Sequence, residues 1–355
     1  MIKMRRAQVL AALFLWSVLS LANEAWVAVT LDRIEFSGNL ISWPAFKGNP
    51  IMFASVVGTG NTYQKLVWPW TGWFTIADEG GELVQETEAI PLFVLPADQM
   101  GSRLGIAIQF LGNTDFDWDH RYVPEVLSDL EKYLRRRLPA STYVPTIPGM
   151  GESEPSSGHE PLYVAHYDVF EPFIRVLASD AWSGDIRTFT DEVQAGHNTV
   201  RFQYSIRRVY LSENLQARVG LEGIKTVENG DFANGEVFIL ARAISGFSTS
   251  GAPAQRAGRI PPSSHYSMGD GEEKVLSAVL FEGEVKPFLY LEILAWDEDN
   301  PEVGDQHDLL GGFFGLWLPW RLSNLPGGEK ELVIPKETPD GEVLFYLRVE
   351  LLGQS

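Results

Sequence analysis

From Phe288 to Phe314 the chain reads FLYLEILAWDEDNPEVGDQHDLLGGFF, and this stretch restricts the choice of fold more than any other. Leu289, Leu291, Ile293 and Ala295 alternate with Tyr290, Glu292 and Leu294, the period-two pattern of a strand. Asp297, Glu298, Asp299, Asp305 and Asp308 follow within twelve residues, and Asn300, Pro301 and Gly304 among them end the strand and permit tight turns. Leu309, Leu310 and GGFFGLW return the chain to an apolar run. Strand, acidic turn and strand together form a sheet that presents carboxylates at one rim. A hard cation such as calcium takes about six to eight oxygens from an anchored but adaptable segment, so the rim suits it. A solvated acidic hairpin has the same composition.

The rest of the chain repeats this kind of pattern. Val, Ile, Phe, Tyr and Trp dominate short alternating runs bounded by Gly, Asn, Asp and Pro. LDRIEFSGNL (31–40) parallels IRRVYLSENL (206–215), and NPIMFASVVGTG (49–60) parallels GEVFILARAISG (235–246). Residues 90–113 then sit where 282–299 sit in the second copy. Three matches in one order predict an all-β chain of two tandem antiparallel β-sandwiches. The first is expected over 23–170 and the second over 198–355, with 171–197 connecting them. PLYVAHYDVF (161–170) parallels VLFYLRVELL (343–352) and is expected to close the first sandwich. STYVPTIPGMGESEPSSGHEP (141–161) has the Pro, Gly and Ser of an exposed loop. One helix is predicted, an insertion in the first sandwich over 124–138. Val126, Leu127, Leu130, Tyr133, Leu134 and Leu138 share a face, Arg135 to Arg137 fill the last turn and Pro139 stops it.

The stretch after Trp296 resembles the third calcium loop of C2 domains. In that family a strand ends in an Asp-x-Asp pair, and a later Asp precedes two aliphatic residues and a Gly. Asp297 and Asp299 match the pair, and Asp308-Leu309-Leu310-Gly311 matches the closing motif, with Asp305 as an alternative closing aspartate. The resemblance implies a first loop ahead of the strand EVFILARAI, where Asp231 and Glu236 are the carboxylates and Asn229 and Asn234 the neutral oxygens. It also implies a calcium (Ca2+) site built from Asp231, Glu236, Asp297, Asp299 and Asp305 or Asp308. Its role would be binding: calcium bridging the loops to a lipid surface, an envelope component or a protein partner. In the first copy, 42–50 has no carboxylate, while 112–122 has Asp115, Asp117 and Asp119, a degenerate version of the site.

Residues 1–22 read as a signal peptide: Lys3, Arg5 and Arg6, then the apolar run Ala7–Leu21, then small residues for cleavage after Ala22. The run is short for a membrane span, and no transmembrane segment is expected after its removal. There is no cysteine, which excludes disulfides and thiol catalysis and favours a bacterial-type exported protein, periplasmic or secreted. The formal net charge is −19, and loss of the three signal cations takes it to −22, which disfavours nucleic acid as a partner and repels an anionic membrane unless cations bridge.

Signals for catalysis are poor. His120, His159, His166, His197, His265 and His307 show no metal-ligand spacing. GFSTSG (246–251) lacks the G-x-S-x-G frame, and GTG (58–60) and GMG (149–151) open no helix. A glycosidase carboxylate pair is defined in space rather than along the chain, so the sequence leaves it open. VWPWTGWF (67–74) and LWLPWRL (316–322) support an alternative reading as a carbohydrate-binding or adhesion protein, if their tryptophans are exposed; packing in a core or interface is the other assignment.

Overall fold

The computed structural model describes residues 24–38, 49–60, 62–69, 74–76, 82–113, 123–138, 167–211, 215–228, 235–245, 254–285, 288–298, 308–317, 329–338 and 341–352. In the first half these form β1 (Glu24–Ser37), β2 (Asn49–Thr59), β3 (Thr62–Trp68), β4 (Phe74–Ile76), β5 (Glu82–Pro96), β6 (Arg103–Asn113), α1 (Val123–Arg137), β7 (Tyr167–Val169), β8 (Phe173–Ala178), β9 (Ile186–Ala195) and β10 (Asn198–Leu211). In the second half they form β11 (Leu215–Glu228), β12 (Gly235–Ser245), β13 (Ala254–Ile260), β14 (Tyr266–Met268), β15 (Glu273–Val285), β16 (Leu289–Asp297), β17 (Asp308–Trp317), β18 (Glu329–Thr338) and β19 (Gly341–Leu352). The chain is all-β apart from α1 and short 3-10 turns among the described residues, and the sheets of each half are antiparallel.

The two halves repeat one strand plan. In the first, β5-β1-β10-β9 lie side by side, one half of a sheet that continues through β17 into the second sandwich, and in the second the matching sheet runs β15-β11-β19-β18. The facing sheets run β3-β2-β6-β7 and β13-β12-β16-β17, with β4 and β14 capping the starts of β2 and β12. These are two tandem β-sandwiches, as the alternation predicts.

Strand pairing moves the expected boundaries. Residues 171–197, expected as a connection, carry β8, which pairs with β6, and β9, which pairs with β10. β10 pairs along its whole length with β1, from Glu24↔Leu211 to Ser37↔Thr199. Residues 198–211 therefore belong with the first sandwich, and pairing passes to the second set between Leu211 and Leu215. The likeness of 31–40 to 206–215 is also corrected. These segments are largely neighbouring strands of one sheet, and they look alike because they bury the same face. β11 holds the place that β1 holds in the first half. The likeness of 49–60 to 235–246 marks equivalent strands, β2 and β12. A further likeness, 161–170 to 343–352, falls partly outside the described residues; β10 occupies the position of β19.

Each sandwich buries a core between its sheets. In the second, Val237, Ile239, Ala241 and Ala243 of β12 and Leu289, Leu291, Ile293 and Ala295 of β16 face Val219, Leu221, Phe345 and Leu347 of the opposite sheet. Every residue of β16 is withdrawn from water, and most of the other face of β12 is buried too. Phe238, Ile244, Phe288, Tyr290, Leu294 and Trp296 share a core with Phe53, Trp68, Phe93 and Phe110 of the first sandwich. Each such side chain withdrawn from water contributes about 1.5–3 kcal/mol, so this junction is a substantial part of the fold. β17 also meets β5 in parallel at Gly315↔Glu88.

In the first sandwich the corresponding outer face is covered by α1. Leu127, Leu130, Leu134 and Leu138 pack on Met52, Ala54, Val56, Ala107 and Leu111. Gly105 makes the close approach possible: a Cβ there would lie 2.8 Å from Leu138 Cδ1 and 2.9 Å from Leu134 Cδ2. Glu131 anchors the outer edge of the helix, with Lys65 Nζ and Arg135 Nε each at 2.6 Å. Tyr133, expected on the apolar face, is 44 % exposed instead. Among the described residues no helix is long and apolar enough to cross a membrane.

Candidate functional site

Two of the expected loops leave from neighbouring strands at one end of the second sandwich. β12 begins where the first loop ends, and β16 ends where the third begins, with Val237 and Asp297 in register. Asp297 is 4 % exposed, and its Oδ1 accepts the Glu236 N–H at 2.5 Å. The Glu298 N–H in turn donates to the Glu236 carbonyl oxygen at 2.9 Å. Two hydrogen bonds thus staple the exit of one loop to the entry of the other. Gly235 is required beside them, because a Cβ there would sit 2.7 Å from Asp297 Oδ2. Asp308 opens β17 directly across from Asp297. Three of the sequence-predicted positions, Glu236, Asp297 and Asp308, are therefore brought to one end. Asp231, Asp299 and Asp305 lie outside the described residues, as do Asp115, Asp117 and Asp119 of the first copy.

Two further residues enter this end that spacing along the chain does not reveal. Arg259, near the end of β13, pairs with Glu298 and donates to the Ser264 carbonyl oxygen at 3.2 Å. Its guanidinium lies 4.1 Å over the Phe238 ring. His265, just ahead of β14, places Nε2 3.6 Å from Glu236 Oε1 and Nδ1 3.5 Å from Glu298 Oε2. Only the pairing of β13 and β14 with β12 carries these two side chains to the carboxylates. Their effect is electrostatic. Glu298 already has a fixed counter-charge, so it is poorly suited to a metal, whereas Glu236 has a half-exposed side chain and Asp297 stands between the two loop roots. Among the described residues no group of three or more His, Asp or Glu side chains is placed to hold a metal ion. A calcium site here needs donors from 229–234 and 299–307 as well.

A second buried polar group lies at the junction of the sandwiches. Arg242 and Glu292 face each other across β12 and β16, hydrogen-bonded and almost fully buried, and the Tyr290 hydroxyl lies 3.4 Å from Glu292 Oε2. Burial pushes the Tyr290 phenol well above its usual range; the Glu292 charge adds to this, and Arg242 and a hydrogen bond with Trp68 oppose it. Closed off between two cores, this group has no access for a substrate and serves packing. Trp68, the described tryptophan of the 67–74 run, is buried and stacked on Phe53 with ring centroids 5.4 Å apart. It is unavailable for stacking on a sugar. The 317–322 tryptophan side chains lie outside the described residues.

No family model matches the sequence, and no curated protein matches it. Among solved structures, the chain is similar to human GIVD cytosolic phospholipase A2 in complex with methyl gamma-linolenyl fluorophosphonate, at 10 % identity and a TM-score of 0.25 over 94 % of this chain. It spans 33 % of that chain's length, about a third. It is also similar to the tandem pair of C2 domains of extended-synaptotagmin 2, at 8 % identity and a TM-score of 0.23 over 93 % of this chain and 91 % of that one. The calcium-bound form of the same pair gives 7 % identity and a TM-score of 0.23, covering 93 % and 96 %. TM-scores this low transfer neither fold nor activity, so the argument below rests on strand pairing and on the loop residues.

Proposed function

We propose that the chain is an exported, bacterial-type binding protein of two C2-like sandwiches, the second of which uses calcium to order its loops against a lipid surface, an envelope component or a protein partner. The observation that supports this reading is the staple between Asp297 and the Glu236 backbone, which holds the roots of two carboxylate-bearing loops together. The residues that would hold the ion are Asp231, Glu236, Asp297, Asp299 and Asp305 or Asp308. Calcium would supply the charge that lets these carboxylates approach one another, and the protein supplies the fixed loop roots. The shared strand order of both halves supports a common C2-like plan. In the first half, the segment between β6 and β7, where the second half has its acidic loop, contains α1, consistent with a first copy that has turned from ion binding to structure.

Calorimetric titration of the full chain with calcium tests the reading. Saturable binding that is lost in Asp297→Asn and Asp299→Asn, but kept in Asp115→Asn, is the expected result. Absence of binding, or binding indifferent to Asp297 and Asp299, would leave 297–308 as a solvated acidic hairpin.

A further inference from the structure

α1 has a face that the sandwich does not use. Leu127, Leu130, Leu134 and Leu138 turn inward, and Arg135 is engaged by Glu131 and lies 5.0 Å over the Tyr63 ring. On the outside Lys132, Tyr133, Arg136 and Arg137 are all exposed. Lys132 reaches Asp129 at 2.9 Å, a pair whose side chains are both more than half in water. β6 adds a further cation. Gly105 lies beneath Leu134 and Leu138, and Arg103, two residues earlier on the same strand, is exposed. The acidic residues of the helix, Glu125, Asp129 and Glu131, lie nearer its start, and Asp98 is exposed on the turn ahead of β6. In a chain with 47 acidic and 28 basic residues, the described residues at this end of the helix carry an excess of exposed cations, with Tyr133 exposed among them.

We propose that this patch docks the first sandwich on an anionic phospholipid bilayer without calcium. Arginine forks match phosphate oxygens, long basic stems lie along an interface while their heads reach the headgroups, and a tyrosine ring sits at headgroup depth. The cations are spread over a convex helix surface. Two grooves among the described residues lie elsewhere, on the outer faces of the β1 and β11 sheets. A convex multivalent surface fits a flat anionic sheet better than one small anion that must be enclosed. This surface is separate from the calcium loops, so either idea can fail alone.

Co-sedimentation of the full chain with vesicles, in EDTA, tests it. Phosphatidylcholine vesicles doped with phosphatidylglycerol should bind the protein, pure phosphatidylcholine should not, and added salt should weaken binding. Arg136→Gln with Arg137→Gln removes two surface cations and should weaken binding on the order of 30-fold. Arg103→Gln, on a strand rather than the helix, gives an independent second variant. No binding to anionic vesicles in EDTA overturns the proposal, and binding restored by calcium would then assign the membrane contact to the loops. Equal binding by wild type and the arginine variants overturns it too, as does release of the protein from vesicles by inorganic phosphate, which would make the patch a soluble-anion site.

Discussion

Arg242 and Glu292 lie opposite one another on adjacent central strands, paired and almost wholly buried where the two sandwiches meet. A buried pair is costly to desolvate, and removing one partner leaves an uncompensated charge. Arg242→Met alone should therefore cost about 3–5 kcal/mol, and so should Glu292→Leu, while the double replacement should recover most of the loss. Denaturant melts of the four proteins in a double-mutant cycle check this. Additive losses would mean that the two side chains do not interact.

The same junction predicts that the second half is unstable alone. Residues 215–355 by themselves would expose Phe238, Tyr290, Leu294 and Trp296 together with the Arg242–Glu292 pair. The fragment should aggregate or bind hydrophobic dyes, while the full chain stays monodisperse with one cooperative transition. Gel filtration and calorimetry decide it. A well-dispersed, monomeric fragment would mean that the shared core contributes little.

The helix anchor should be sensitive to acid. Burial raises the Glu131 pKa, but hydrogen bonds and charge from Lys65 and Arg135 outweigh it, so the folded carboxyl sits below its ordinary range. A depressed pKa adds stability that is present above the unfolded value, about 4.3, and is lost as pH falls through the folded one. Glu131→Gln should be less stable than wild type at neutral pH, with the gap closing below about pH 4. Thermal melts across pH follow this. A gap that persists unchanged at low pH would assign the loss to packing. Leu134→Ala, which empties the centre of the same contact, should cost about 2–5 kcal/mol at any pH.

At the loop end, Gly235→Ala should cost about 1–3 kcal/mol, because the new methyl would press on Asp297 and strain the staple to Glu236. If calcium occupies the loops, a hundredfold excess over its Kd should raise wild-type stability by about 2.7 kcal/mol. Asp297→Asn and Asp299→Asn should lose most of that gain. Asp297→Asn keeps an oxygen for the Glu236 N–H and should melt near wild type in EDTA. Melts in calcium and in EDTA separate the cases: equal loss for Asp297→Asn in both would make it a structural residue only.

Alternation along the chain determined the strands, and one amphipathic run determined the helix to within a residue: 124–138 expected, 123–137 formed. Hydrophobic period is a local property, and it survives whatever the strand later pairs with. Tandem sandwiches were legible for the same reason. Partner choice was not. Residues 31–37 and the strand containing 206–211 alternate alike because β1 and β10 face one core, and sequence likeness does not distinguish a neighbour in the sheet from a counterpart in another copy. The boundary therefore moved from 171–197 to the gap after Leu211. The carboxylates at 236 and 297 could be picked out by residue type, but the staple between them, and the arrival of Arg259 and His265 beside Glu298, came only from the register of β12 with β13, β14 and β16. Those contacts join residues far apart in the chain, and tertiary pairing alone sets them.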